Sequence, residues 1–127
     1  MKRFKQDIII FILGGIAYCL IEIIWRRYTH WVMGIVGGLC FLTLFRLYQR
    51  TKNTPIWKKC VLGAVIITVI EFVSGCFINI YFSMNVWDYS SLPVNIMGQV
   101  CLLYSVLWGF LCIPIVYISS KLSRILR

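Results

Sequence analysis

The sequence predicts an all-α fold, a four-span transmembrane helix bundle forming a single integral membrane domain over residues 1–127. Three observations predict it. The chain is 61% hydrophobic and 13% charged, with a mean hydropathy of +0.86, which is more apolar surface than a soluble core of this size can bury. The apolar residues gather in four runs, Ile8 to Trp25, Trp31 to Tyr48, Cys60 to Phe82 and Val94 to Ile118, each near the roughly 20 residues that a helix needs to cross hydrocarbon. The basic residues flank these runs instead of forming a stripe, so the net charge of +9 reads as membrane topology and not as a nucleic-acid surface.

Taken in order, the first run follows Lys2, Arg3 and Lys5 in the manner of a signal peptide. It lacks a small-x-small cleavage site and three more spans follow, so it reads as a retained anchor. The short link Arg26 to His30 makes the second run fold back antiparallel on the first. Gly34-x-x-x-Gly38 puts two small residues on one face of that second helix, which permits close backbone approach in lipid, although glycine is tolerated anywhere in a span. Ahead of the third run, Thr54-Pro55-Ile56-Trp57-Lys58-Lys59 combines an aromatic with basic residues and reads either as an interfacial anchor or as a dock for a cytoplasmic partner. In the fourth run, Pro114 frees the Phe110 carbonyl and kinks the helix.

If the N-terminus is cytoplasmic, all 13 Lys and Arg except Arg26 and Arg27 lie inside, which predicts an N-in/C-in protein of the cell membrane. Trp25, Trp31, Trp87 and Tyr89 then fall at the outer interface, where amphipathic rings belong. An Ile-Glu pair recurs in spans one and three (Ile21-Glu22, Ile70-Glu71), and a glycine three residues before a cysteine recurs in spans two and four (Gly37 and Cys40, Gly98 and Cys101). A parallel two-span repeat is one explanation, and chance recurrence is the other.

The polar residues inside these runs most need explaining, because a carboxylate at the bilayer centre costs about 2.5–3.5 kcal/mol on insertion scales. Glu71 lies at the middle of its span, and Glu22 and Asn79 share a shallower layer on the outer side. Thr68, Glu71, Gly75 and Asn79 fall on one helix face, Tyr18, Glu22 and Arg26 on another, and Asn95 and Gln99 are one turn apart on the fourth span. His30, Asp88 and Asn95 rim the same end. The expectation is an outward-opening polar cavity, a substrate or ion pathway of Glu22, Arg26, His30, Glu71, Asn79, Asp88, Asn95 and Gln99 that leads down to Glu71. The alternative is a local Glu22–Arg26 ion pair with Glu71 as a buried group that only glues the bundle. Asp88 reads equally as a cap, as an answer to Arg26 or Arg27, or as a ligand. The six cysteines are widely spaced and read as packing residues, and with a single histidine and no Cys-x-x-Cys pair neither a metal nor another cofactor is expected. No glycine-lysine phosphate loop is present, so nucleotide chemistry would belong to a partner chain.

Gly14-Gly15-x-x-Tyr18-x-x-x-Glu22-x-x-Trp25-Arg26, His30-Trp31-x-Met33, Gly37-Gly38-x-Cys40-Phe41, Glu71-Phe72-x-x-Gly75-x-x-x-Asn79, Val86-Trp87-Asp88-Tyr89-Ser90 and Pro93-x-Asn95-x-x-Gly98-Gln99 together resemble the ABC-transporter type IV (CmpB-like) permease family of small four-span bacterial membrane proteins. The resemblance runs from Gly14 to Trp108 and implies a permease partnered with a separate ATPase subunit. One departure is Arg27, where the family pattern is expected to carry glycine, so the turn here is stiffer and more charged.

The expected function is therefore a membrane permease subunit of an ABC-type transporter. A pathway holding both signs of charge suits a small zwitterion or a cation better than a bulky anion. Four spans are few for a conduit, so a homo-oligomer, a second membrane subunit or substantial opening is implied. Two rivals stand beside this. In an intramembrane enzyme acting on a lipid or small molecule, Glu71 or Glu22 would be the general base and Arg26 or His30 would steady an anionic headgroup; no nucleophile with an adjacent base supports it. The other rival is a non-transporting scaffold or regulator of membrane proteins.

Overall fold

Apolar runs joined by a short link fold back on each other, and small residues decide how closely. The computed structural model describes residues 2–27 and 29–126; Arg127 and the side chain of Arg26 lie outside the described residues. In order come α1 (Arg3–Arg26), α2 (Trp31–Arg50), α3 (Ile56–Gly75), a π-helical turn (Cys76–Tyr81), the strands β1 (Asn95–Ile96) and β2 (Val100–Cys101), and α4 (Leu102–Ile125). Among the described residues the protein is all-α apart from this ribbon, with four helices long and apolar enough to cross a membrane. It is a multi-span membrane protein.

The chain divides into two compact units, Met1–Thr54 with Pro114–Arg127, and Pro55–Ile113. The division inside α4 falls at Pro114, where proline removes a backbone hydrogen bond from the helix.

In the first unit, α1 and α2 form the antiparallel hairpin that their short link requires. Glycines set its spacing: a Cβ on Gly38 would stand 2.6 Å from the Phe11 carbonyl oxygen, and one on Gly15 would stand 2.7 Å from that of Gly34. Backbone lies against backbone at both points, so the Gly34-x-x-x-Gly38 face is the packing face and not an incidental glycine pair. Ile10 of α1 and Leu44 and Phe45 of α2 are fully buried, and Val36 of α2 is nearly so. At the far end of the hairpin Arg46 pairs with Asp7 and also reaches the Arg3 carbonyl at 3.5 Å. The sequence reading did not single out Asp7; its signal was an acid facing a base at matched depth once the hairpin is drawn. Thr43 Oγ1 donates to the Leu39 carbonyl at 2.8 Å, the usual way a hydroxyl is satisfied inside a span.

α1 ends at Arg27, which holds φ 57° and donates its N–H to the Ile23 carbonyl at 2.8 Å. That left-handed cap favours glycine, because a Cβ there costs roughly 1–2 kcal/mol. The glycine expected here from the family resemblance would thus remove a physical cost. Arg27→Gly should raise the unfolding midpoint in detergent, by about 1 kcal/mol of stability; a lower midpoint would show that the guanidinium makes a compensating contact.

In the second unit, α3 buries Gly63, Ile67, Glu71 and Gly75, one residue per turn, and Asn79 in the π turn continues the row. α4 meets α3 where Gly109 lies over Ala64 and where the Thr68 and Ser105 hydroxyls bond at 2.8 Å.

The fourth helix begins at Leu102, later than the Val94 expected from hydropathy. Asn95 and Gln99 are consequently not neighbours on a helix face. Asn95 pairs with Cys101 across the ribbon, and Gln99 lies in the turn between its strands. The chain there cannot wind into a helix: Val94, Met97 and Gly98 hold φ of 53°, 55° and 72°, and Pro93 disfavours helical geometry in the residue before it. The Asn95 side chain takes up backbone groups that a helix would use, donating to the Leu92 carbonyl at 2.7 Å and accepting from Gly98 N–H at 3.1 Å.

Candidate functional site

The second unit carries a hydrogen-bonded polar plug at the C-terminal end of α3. The π turn widens the helix there, with Phe82 N–H bonded to the Phe77 carbonyl, five residues back, at 3.2 Å. Asn79 lies in that turn, 8% exposed, and uses both ends of its amide. Its Nδ2 donates to Gln99 Oε1 at 2.8 Å, and its Oδ1 accepts from Val86 N–H at 2.7 Å and Trp87 N–H at 3.4 Å. Gln99 Nε2 donates to the Met97 carbonyl at 3.0 Å, and Trp87 Nε1 donates to the Gln99 carbonyl at 3.0 Å. Every one of these groups is thus matched within the plug.

Gly75 makes room for it. A Cβ at that position would stand 2.4 Å from Gln99 Oε1 and 3.0 Å from Trp87 Cζ2, so the Gln99 amide and the Trp87 ring occupy the place of a side chain. Trp87 and Tyr89, expected at the bilayer interface, are 3% and 7% exposed and belong to this packed loop. Tyr89 stacks on Tyr104 at 5.0 Å, and its N–H donates to the Gly98 carbonyl at 2.7 Å. Trp25 and Trp31, the other two aromatics expected at the interface, are both 67% exposed. Asp88 is exposed and turns back on its own loop, accepting from Ser90 N–H at 2.9 Å. Hydrogen bonds from the Ser90 hydroxyl and then its N–H hold the Asp88 carboxyl below its usual range. The stabilisation from that lowered value is present above the unfolded-state value and is lost as pH falls through the folded one.

Glu71 is 5% exposed and lies one turn before Gly75, about 6 Å along the helix axis. The plug therefore stands directly on the turn above this carboxyl. In the first unit Glu22 is 7% exposed on α1. His30 caps α2, its Nδ1 accepting Val32 N–H at 3.2 Å.

Of the eight pathway residues expected, the structure brings Asn79 and Gln99 into direct contact and joins Asp88 and Asn95 to them through the same loop. Gly98 ties the two turns together: a Cβ there would stand 2.7 Å from Asp88 Oδ1. The sequence reading missed the plug as a folded object. Its signal was Pro93-x-Asn95-x-x-Gly98, a run of turn residues hidden among apolar neighbours. Among the described residues no three His, Cys, Asp or Glu side chains converge to hold a metal ion, and the six cysteines are free thiols.

A family model described as "Putative ABC-transporter type IV" matches residues 9–126. No solved structure matches the chain.

Proposed function

Because the chain belongs to the ABC-transporter type IV family, we propose that it is the membrane permease subunit of an ABC-type transporter and works with a separate ATPase subunit. The family match over residues 9–126 carries this reading. In this reading both termini are cytoplasmic, the two-span halves are parallel repeats, and a polar cavity open to the extracytoplasmic side leads to Glu71. Glu22, Arg26 and His30 are the first unit's candidates for the pathway; Glu71, Asn79, Asp88, Asn95 and Gln99 are the second's. A homo-oligomer or a second membrane subunit completes the conduit.

The test is reconstitution. Vesicles holding the chain together with the ATPase that copurifies from native membranes should accumulate a small zwitterion or cation only with hydrolysable ATP. Accumulation without the ATPase, or turnover of lipid by the purified chain alone, would overturn the assignment. The buried Glu71 carboxyl makes proton coupling part of the same reading. Glu71→Gln should abolish the pH dependence of uptake while leaving the protein folded, and an unchanged pH profile would remove Glu71 from the coupling.

One observation favours a second reading. Asn79 and Gln99 spend their polar groups on each other and on loop backbone, as expected of a scaffold or regulator whose polar residues hold shape. Glu71→Ala leaving every cellular phenotype intact at normal expression would select it.

A further inference from the structure

The face of the second unit away from the plug carries a groove of about 710 Å3 between α3 and α4, within the usual range for sites that enclose a whole small ligand. Its walls are apolar, with Trp57, Val61 and Val65 on α3 and Val106, Phe110 and Ile113 on α4. The one hydroxyl along it, on Ser105, is already bonded to Thr68 at 2.8 Å. The groove follows α3 from Ile56 to Val65, roughly 13 Å at 1.5 Å per residue. That is close to half of the roughly 30 Å hydrocarbon thickness. A partner transmembrane helix would need a seam along the full thickness, whereas an acyl chain of one leaflet needs only this depth.

Charge stands at one end alone. The Lys58 ammonium lies 5.5 Å from the centre of the Trp57 ring, which itself lines the groove. No acidic residue lies in the first turn of α3. An apolar channel one leaflet deep, with an ammonium group beside its mouth, matches an amphiphile with an apolar tail and an anionic head. We propose that this groove holds one acyl chain of an anionic phospholipid, with its phosphate at Lys58. The lipid would fill the gap that α3 and α4 leave beyond their contact at Gly109 and Ala64. The site is independent of the transport reading, since it uses none of the pathway residues.

The experiment uses the full chain, purified in detergent and analysed by native mass spectrometry against phosphatidylglycerol and phosphatidylcholine of identical acyl chains. The wild type should retain one phosphatidylglycerol in preference to phosphatidylcholine. With about 1 kcal/mol per basic residue near an anionic surface, Lys58→Gln should weaken phosphatidylglycerol binding roughly five-fold. Binding of phosphatidylcholine should barely change. Lys58→Arg should keep the preference, which separates charge from folding. Gly109→Leu, which projects into the groove, should lower retention of both lipids. Equal retention of the two lipids by the wild type, or unchanged phosphatidylglycerol retention in Lys58→Gln, would overturn the proposal. So would a shift from dimer to monomer in Gly109→Leu with lipid retention unaltered, which would assign the groove to a second copy of the chain.

Discussion

Asn79→Ala should release the plug while leaving the four helices in place. The substitution deletes the acceptor for Val86 N–H at 2.7 Å and the donor to Gln99 Oε1 at 2.8 Å. Each buried group left unmatched costs about 1–3 kcal/mol, so the plug should lose roughly 3 kcal/mol of local stability. Asn79→Asp is the sharper control. It keeps the acceptor for Val86 but sets a second carbonyl-type oxygen against Gln99 Oε1, and a Gln99 amide flip would have to abandon its bond to the Met97 carbonyl. Amide hydrogen exchange at Val86 and Trp87 should accelerate about a hundred-fold in Asn79→Ala, since roughly 3 kcal/mol is two factors of ten. Trp87 fluorescence should shift to longer wavelength as the ring leaves its buried site. If exchange at both amides stays at the wild-type rate in a folded protein, the Asn79 bonds do not hold the loop.

Gly38→Leu should separate α1 from α2. The first added carbon would already stand 2.6 Å from the Phe11 carbonyl oxygen and 3.1 Å from the Phe11 ring. The carbonyl belongs to a helix backbone that cannot rotate away, so the helices must move apart along their length. Overpacking of this kind costs about 3 kcal/mol, and lost backbone contacts along the hairpin add to it because van der Waals packing is what associates helices in lipid. Unfolding in mixed detergent and SDS should show a much lower midpoint. Gly109→Ala is the matched control. Its Cβ would stand 3.6 Å from Ala64 Cβ, an ordinary contact, and alanine is the better helix former by about 1 kcal/mol, so stability should hold or rise. Equal losses at Gly38 and Gly109 would mean that close approach at Gly38 does not set the effect.

The two experiments probe levels of organisation that the sequence discloses unequally. A span reveals itself by length and apolarity, and the cores of all four helices fall inside the apolar runs. The hairpin was legible as well, since five residues between two spans leave the chain no other course. Asn95 and Gln99 were not legible. Their neighbours Val94, Ile96, Met97, Val100 and Cys101 are as apolar as those of any span, so hydropathy extends the fourth helix over them. The folded ribbon turns on backbone angles at Val94 and Met97 that an L-residue disfavours, and no local preference predicts such angles. The same holds for the burial of Trp87 and Tyr89 in the loop, which composition does not disclose.

By itself the sequence determined that this is a membrane protein with four helices, because the transfer of long apolar runs out of water is large, additive and independent of neighbours. It also marked Glu71 and Asn79 as residues needing partners, because an isolated polar group in hydrocarbon is costly wherever it lies. Only the tertiary structure decided what those partners are. The meeting of Asn79 with Gln99 depends on a π turn, on an empty Cβ position at Gly75, and on a ribbon held in left-handed geometry. Each of these is a directional, short-range contact between residues distant in the chain, and such contacts exist only once the helices have packed.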